Sequence, residues 1–206
     1  MHPLLIALIN NFAFSGSLPV DVPDFLILHN RPQTAVHTRS VVELTRLLAA
    51  RFGLAAAAGE TAAWLHDISA VYPNERRLEV SKQLGLEVLP QEEQVPLLLH
   101  QKISAVIARD VFGILDPAVL DAIECHTTLK PGSTTTEMLV FVADKMAWDQ
   151  KGTPPYRQEM EAALSESLEA AAWVYQRYLW HSGKAKVIHP WMQDSYLELK
   201  AKYEIM

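Results

Sequence analysis

Apolar residues recur every three or four positions along almost the whole of this 206-residue chain, and strict two-residue alternation is hard to find. A period near 3.6 turns one face of a helix toward a core, whereas a half-buried strand needs a period of two, so the pattern predicts an all-α architecture. Half of the residues are apolar, enough to fill one domain's core. Val41, Leu44, Leu48 and Phe52 form one stripe, stopped by Gly53, with His37 near its start. Segment 54–68 is rich in alanine, the strongest helix former, and sets Trp64, Leu65 and Ile68 around the doublet His66-Asp67, on the core side of a helix end. Asp116-Pro117 reads as an N-cap with proline at the first helical position, opening a helix to about His126. Thr134 and Glu137 have capping-box spacing and open another through Leu139, Val140, Ala143 and Met146, with Asp144 on or beside its apolar stripe.

The apolar run 3–9 predicts a short helix packed on the domain, since it lacks the basic start of a signal peptide and is far shorter than the ~20 residues that span a bilayer. Gly152, Pro154 and Pro155 form the clearest linker. Beyond it, Met160, Leu164, Leu168, Ala171, Tyr175 and Leu179 predict one long amphipathic helix, and a second, short helix follows Pro190 with Trp191 and Tyr196 as anchors. The expected organisation is a helical lead-in over 1–32, a core over 33–150 and a helical appendage packed on it over 151–206. A formal charge of −6 gives no basic footprint for nucleic acid, and nothing calls for a membrane. A soluble, cytoplasmic protein is expected. The single cysteine, Cys125, excludes an internal disulfide and reads as a small buried residue rather than a nucleophile.

Six residues carry the chemistry: His37, His66, Asp67, His100, His126 and Asp144. Any one of these histidines read alone is more often structural, as are His2, His29, His181 and His189. Asp67 and Asp144 differ, because an ionised carboxylate among apolar neighbours is costly unless paired or bound to a cation. The four internal histidines fall on separate predicted helices or helix ends, and helix packing can gather such ligands around one cavity. Their spacing alone carries the argument no further.

The order His, His-Asp, His, His, Asp resembles the HD-domain superfamily of metal-dependent phosphohydrolases. More closely it is similar to the YqeK family, which hydrolyses diadenosine tetraphosphate symmetrically to two ADP. The matching stretches are His37-Thr38, Leu65-His66-Asp67, Leu99-His100, the run 122–128 and Ala143-Asp144-Lys145, together covering residues 33–149. The resemblance implies an HD-domain helical bundle and two divalent transition-metal ions, with iron favoured over manganese or zinc. His37, His66, Asp67 and Asp144 would hold one ion, and Asp67, His100 and His126 the other. Asp67 is thus the bridging, catalytically essential carboxylate, and a hydroxide activated by both ions is the implied nucleophile. Arg39, Lys102, Lys130 and Lys145, close in sequence to ligands, are candidates to neutralise a small nucleotide substrate. Thr127 and Thr128 either donate to phosphate or merely close a helix.

Two departures bear on the substrate. Many HD enzymes have a lysine three residues after the doublet's aspartate, where this chain has Ala70, and segment 146–150 reads Met-Ala-Trp-Asp-Gln in place of the family's Glu-Pro and arginine. An HD-type nucleotidase or phosphodiesterase with another substrate, and a nucleotide-binding regulatory module whose chemistry has decayed, are therefore the competing readings. The aromatic cluster Trp173, Tyr175, Tyr178 and Trp180 reads as core or as a homodimer surface, with adenine stacking as the third option.

Overall fold

The computed structural model describes residues 1–148 and 151–204, and among these every regular element is helical. Asp149 and Gln150, the end of the divergent segment, lie outside the described residues. The chain opens with α1 (Pro3–Leu8) and α2 (Leu18–Leu28). Leu5 and Leu8 fasten α1 by burial, and Asp21 braces the loop before α2 by accepting the N–H groups of Ser15 and Gly16 at 2.7 and 3.0 Å.

The stripe around Val41 forms α3 (Pro32–Phe52), which ends where Gly53 adopts the left-handed region at φ 65° and gives its N–H to the last carbonyls. The alanine-rich segment folds as α4 (Ala57–Leu65). It is shorter at both ends than expected: after Leu65 the chain passes through His66 and Asp67 into a single 3-10 turn, Ile68–Val71. Next come α5 (Asn74–Gln83), α6 (Pro90–Gln94), a second 3-10 turn (Pro96–Leu99) and α7 (His100–Asp110). Helix α8 (Pro117–Cys125) starts as expected, with the Asp116 carboxylate accepting the Ala118 N–H at 2.9 Å. Helix α9 (Thr135–Met146) starts with the reciprocal box: Thr134 accepts from the Glu137 N–H, and the Glu137 carboxylate from the Thr134 N–H.

Beyond the linker the structure corrects the sequence reading. The long helix expected from Met160 to Leu179 is two helices, α10 (Arg157–Ala163) and α11 (Leu168–His181). The break comes from serine chemistry: Ser165 donates its hydroxyl to the Ala162 carbonyl, and Ser167 accepts the Ala170 N–H as the N-cap of α11. The apolar spacing survives the break because Leu164 and Leu168 are both buried. The helix after Pro190, expected to be short, is α12 (Pro190–Tyr203), where Tyr196 is buried and Trp191 only half so.

Helices α3, α4, α7, α8 and α9 pack on one another around Leu65, Ile103, Ile107, Ile123 and Val140. This bundle fixes where the four helix ends and one helix face meet. Helix α11 packs on α9 and α12 on α11. Gln176 ties these layers together by donating to the Thr128 carbonyl and to the Ser195 hydroxyl, both at 3.0 Å. Among the described residues no helix is long and apolar enough to cross a membrane.

Candidate metal centre

Four helices each deliver one imidazole to the same point. His37 lies on α3, His66 directly follows α4, His100 opens α7 and His126 directly follows α8, while Asp144 comes from α9 and Asp67 from the turn after α4. Three of the rings are oriented in one way. His66, His100 and His126 each place Nδ1 against the carbonyl three residues earlier: Ala63 at 2.8 Å, Leu97 at 2.6 Å and Ile123 at 2.7 Å. A carbonyl can only accept, so Nδ1 carries the hydrogen and Nε2 is left to face the cluster.

The Nε2 atoms converge on two carboxylates. Asp67 lies 3.6 Å from His66, 3.4 Å from His100 and 3.7 Å from His126, while Asp144 lies 3.0 Å from His37 and 3.6 Å from His66. Two triads can each enclose an ion: His37, His66 and Asp67; and Asp67, His100 and His126. Asp67 belongs to both. His66 is fully buried and its Nε2 has no hydrogen-bond partner, and the Nε2 atoms of His100 and His126 stand 2.9 Å apart. Buried nitrogen lone pairs left facing one another and two carboxylates are what a divalent cation would satisfy, so the donor set fits a metal. The Asp67 side chain remains 27% exposed, so the cluster opens to solvent through the shared carboxylate.

Electrostatics sort the imidazoles. Burial disfavours charge on His66, but Asp67 and Asp144 more than offset it and raise its pKa to about 9. For His100 burial wins over Asp67, helped by His126 and Arg77, and the pKa falls to about 3; burial also lowers that of His126. Asp67 and Asp144 resist burial and stay well below the usual carboxylate range, Asp67 through the neighbouring imidazoles and Asp144 chiefly through Lys145. The two carboxylates thus favour positive charge at His66, whether from a proton or from a metal ion, and the two would compete for it.

The other sequence candidates divide. Lys145 is at the cluster, its ammonium 2.6 Å from Asp144 and seated over the rings of Phe141 and Tyr175. Thr127 is there too, its hydroxyl 3.0 Å from His100 Nε2. Thr128 is buried and bonded to Gln101. The structure does not bring Lys102 and Lys130 to the cluster: their ammonium groups are held by Glu92 at 2.9 Å and by Glu137 at 2.8 Å. Arg39 is exposed, two residues beyond His37 and hence on the other side of α3. Of the divergent segment, Met146 and Ala147 are buried, Trp148 meets Tyr156 edge to face and Arg157 donates to the Met146 carbonyl at 2.6 Å. Residues at the start of α10 thus support this segment. Sequence reading missed Arg77, whose charge reaches both Asp67 and His100. The available signal was its place on the buried stripe of α5 with Val80 and Ser81.

Beside the cluster, and sharing Thr127 with it, lies a cavity of about 420 Å³ lined by Leu97, Val187, Met192 and Tyr175, with Lys184 and Lys186 among its polar residues.

All six candidate ligands fall within residues 34–149, the stretch matched by the HD domain family, which is more than half of the chain. The chain belongs to the HD-domain family. It is 42% identical over 136 residues to a Lactococcus lactis subsp. cremoris protein named as an uncharacterized protein in the pepC 5′ region, covering 66% of this chain and 69% of that one. It is 31% identical over 137 residues to the Bacillus subtilis strain 168 symmetrical bis(5′-nucleosyl)-tetraphosphatase, covering 65% of this chain and 72% of the enzyme. The fold is shared with a Clostridium acetobutylicum crystal structure described as a predicted HD superfamily hydrolase involved in NAD metabolism. The TM-score is 0.78 at 23% identity, over 88% of this chain and 96% of the other.

Proposed function

We propose that this HD-domain protein is a metal-dependent phosphohydrolase of nucleotides, and that its leading reaction is the symmetrical cleavage of diadenosine tetraphosphate to two ADP. The observation that carries the reading is the place of Asp67 in two ligand triads at once. The relatives named as symmetrical tetraphosphatases support the substrate. His37, His66, Asp67 and Asp144 would hold one ion and Asp67, His100 and His126 the other. Mixed imidazole and carboxylate donors suit iron, manganese or zinc, and the family resemblance favours iron. Bound there, two such ions supply Lewis acidity toward a phosphoryl oxygen and activate water near neutral pH.

The remaining work falls to side chains and backbone of this chain. The carbonyls of Ala63, Leu97 and Ile123 hold three imidazoles in one tautomer. Lys145 fixes Asp144 and balances its charge. The Thr127 hydroxyl is placed to turn from His100 to a phosphoryl oxygen. The adjoining cavity offers a nucleoside an aromatic face at Tyr175 and apolar walls at Leu97 and Val187.

The test is metal analysis after anaerobic purification, coupled to a hydrolysis panel of dinucleoside polyphosphates, mononucleotides and simple phosphoesters. ADP as the sole product from diadenosine tetraphosphate is the expected result. Phosphate release from mononucleotides alone would replace the substrate with that of a nucleotidase, and nucleotide binding with no turnover would favour a regulatory module. Asp67→Ala is expected to abolish both hydrolysis and metal occupancy. Two ions per chain retained in that variant would refute the bridging role.

A further inference from the structure

The charges that the ligand cluster leaves unexplained are those of Arg31 and Arg77. Both line a cleft of about 410 Å³ together with Thr34, Ala70, Asn74 and Glu75. Arg77 is only 9% exposed. Its Nε has no hydrogen-bond partner, and one terminal nitrogen reaches the Leu97 carbonyl at 3.4 Å. The Nε of Arg31 is also buried without a partner. Among the described residues neither guanidinium has a carboxylate within ion-pair distance, and Glu75, the acid on the rim, is exposed. A buried cation without a counterion is costly, and two facing one cleft repel each other. That repulsion adds to burial in lowering the pKa of Arg77, while Asp67 opposes it. The cleft therefore lies within electrostatic reach of the shared carboxylate.

Two helix starts point the same way. Helix α3, with 21 residues, and α5, with 10, both lack a side-chain cap, and their first turns contribute Thr34 and Asn74 to the lining. Uncapped N–H groups at a helix start, joined by unpaired guanidinium forks, form a site for phosphate oxygens. The position where many HD enzymes carry a lysine is Ala70 in this wall. The small side chain leaves room, and positive charge arrives instead from α5 and from the residue before α3.

We propose that this cleft binds phosphoryl groups of the substrate that are not themselves transferred, gripped by Arg31 and Arg77 while the reacting phosphorus lies at the Asp67 cluster. The identity of the reacting phosphorus rests on the phosphohydrolase reading above; the anion site does not. Asn74 lines both this cleft and the neighbouring apolar cavity, so a polyphosphate chain can run from one to the other without leaving the protein surface.

The test is calorimetric binding of methylenediphosphonate, which is not cleaved, and of inorganic phosphate. The proteins are the full-length wild type and Arg77→Met, Arg31→Met and Arg77→Lys variants, each with metal content and circular dichroism recorded. Arg77→Met is expected to weaken diphosphonate binding at least tenfold and Arg31→Met several-fold, with Arg77→Lys in between. A surface control, Arg46→Met, whose guanidinium pairs with Glu60, should change nothing. Inorganic phosphate should lose less than twofold in every variant, because a single phosphoryl group is held at the cluster. Unchanged diphosphonate affinity in both methionine variants, with fold and metal retained, overturns the site; equal losses for both ligands overturn its assignment to non-transferred phosphates. Should Arg77→Met fail to fold, Arg31→Met decides alone. Absence of nucleotide hydrolysis would refute the proposed reaction while leaving this measurement intact.

Discussion

Replacing Glu92 by glutamine should cost far more stability than its position on a five-residue helix suggests. Glu92 on α6 is fully buried, accepts from the Lys102 ammonium at 2.9 Å and the Leu89 N–H at 2.8 Å, and faces His189, whose Nε2 lies 3.4 Å away. His189 caps α12 through Nδ1, which accepts the Trp191 N–H, so its hydrogen sits on Nε2, the ring nitrogen nearer the carboxylate. The substitution would leave the Lys102 ammonium, 8% exposed, without its counter-charge, held only by a neutral amide oxygen and by the Glu87 carbonyl at 3.1 Å. Breaking one partner of a buried ion pair costs about 3–5 kcal/mol. At about 2–4 °C per kcal/mol for a chain of this size, the melting temperature should fall by roughly 6–20 °C. The pH dependence has a defined sign. Burial pushes the Glu92 pKa up, but His189, the Leu89 N–H and Lys102 outweigh it and hold the value below the ordinary 4.5. Its contribution is therefore complete above pH 4.5 and is lost as pH falls through the depressed folded value. Urea unfolding followed by circular dichroism across pH 3–8 would show that acid limb in the wild type and a shallower one in Glu92→Gln. The double variant Glu92→Met, Lys102→Met should recover most of the loss, since an apolar pair avoids desolvating charge. A single variant within about 1 kcal/mol of wild type, or a double variant no better than the single one, would refute the reasoning.

Three further outcomes are expected. Cys125 is fully buried and burial pushes its thiol up to about 12, so iodoacetamide at pH 8 should label it only in denaturant; labelling of the folded protein, read by mass spectrometry, would contradict the packing. Gly59→Ala would bring a new Cβ to 2.9 Å from Leu139 and 3.2 Å from Thr45, where α4 approaches α9 and α3. Overpacking should outweigh the gain in helix propensity and lower unfolding free energy by about 1–2 kcal/mol, measured by urea titration. Tyr175→Ala removes the aromatic face of the cavity and a ring beneath Lys145. Steady-state kinetics should show a raised KM for the dinucleotide and little change for a phosphoester lacking a nucleoside; equal effects on both would remove the cavity from substrate binding.

Local chemistry made much of the fold readable in advance. The Gly53 stop, the Asp116-Pro117 start and the box of Thr134 and Glu137 each act within one turn, and each appears where its residues stand. The break between α10 and α11 was hidden because Leu164 and Leu168 keep helical spacing across it, while Ser165 and Ser167 redirect the backbone. The convergence of His37, His66, His100 and His126 came from resemblance, since residues almost ninety positions apart share no local signal. The roles of Lys102 and Lys130 were illegible for the same reason: proximity in sequence to a ligand says nothing about which way a helix faces. Arg77 stands in the charged run 75–77, and its burial beside Val80 and Ser81 comes from tertiary packing.

The three carbonyls that steer His66, His100 and His126 belong to the main chain. Where an enzyme recruits a side chain to orient a ligand, mutation of that partner can disable the centre; here no codon change at positions 63, 97 or 123 deletes the acceptor. The orientation of these three rings is insulated from substitution at those positions, whereas Asp144 still depends on the Lys145 side chain. A change of cavity-lining side chain can therefore reshape what lies beside the cluster while the backbone keeps these three imidazoles aimed at the same point.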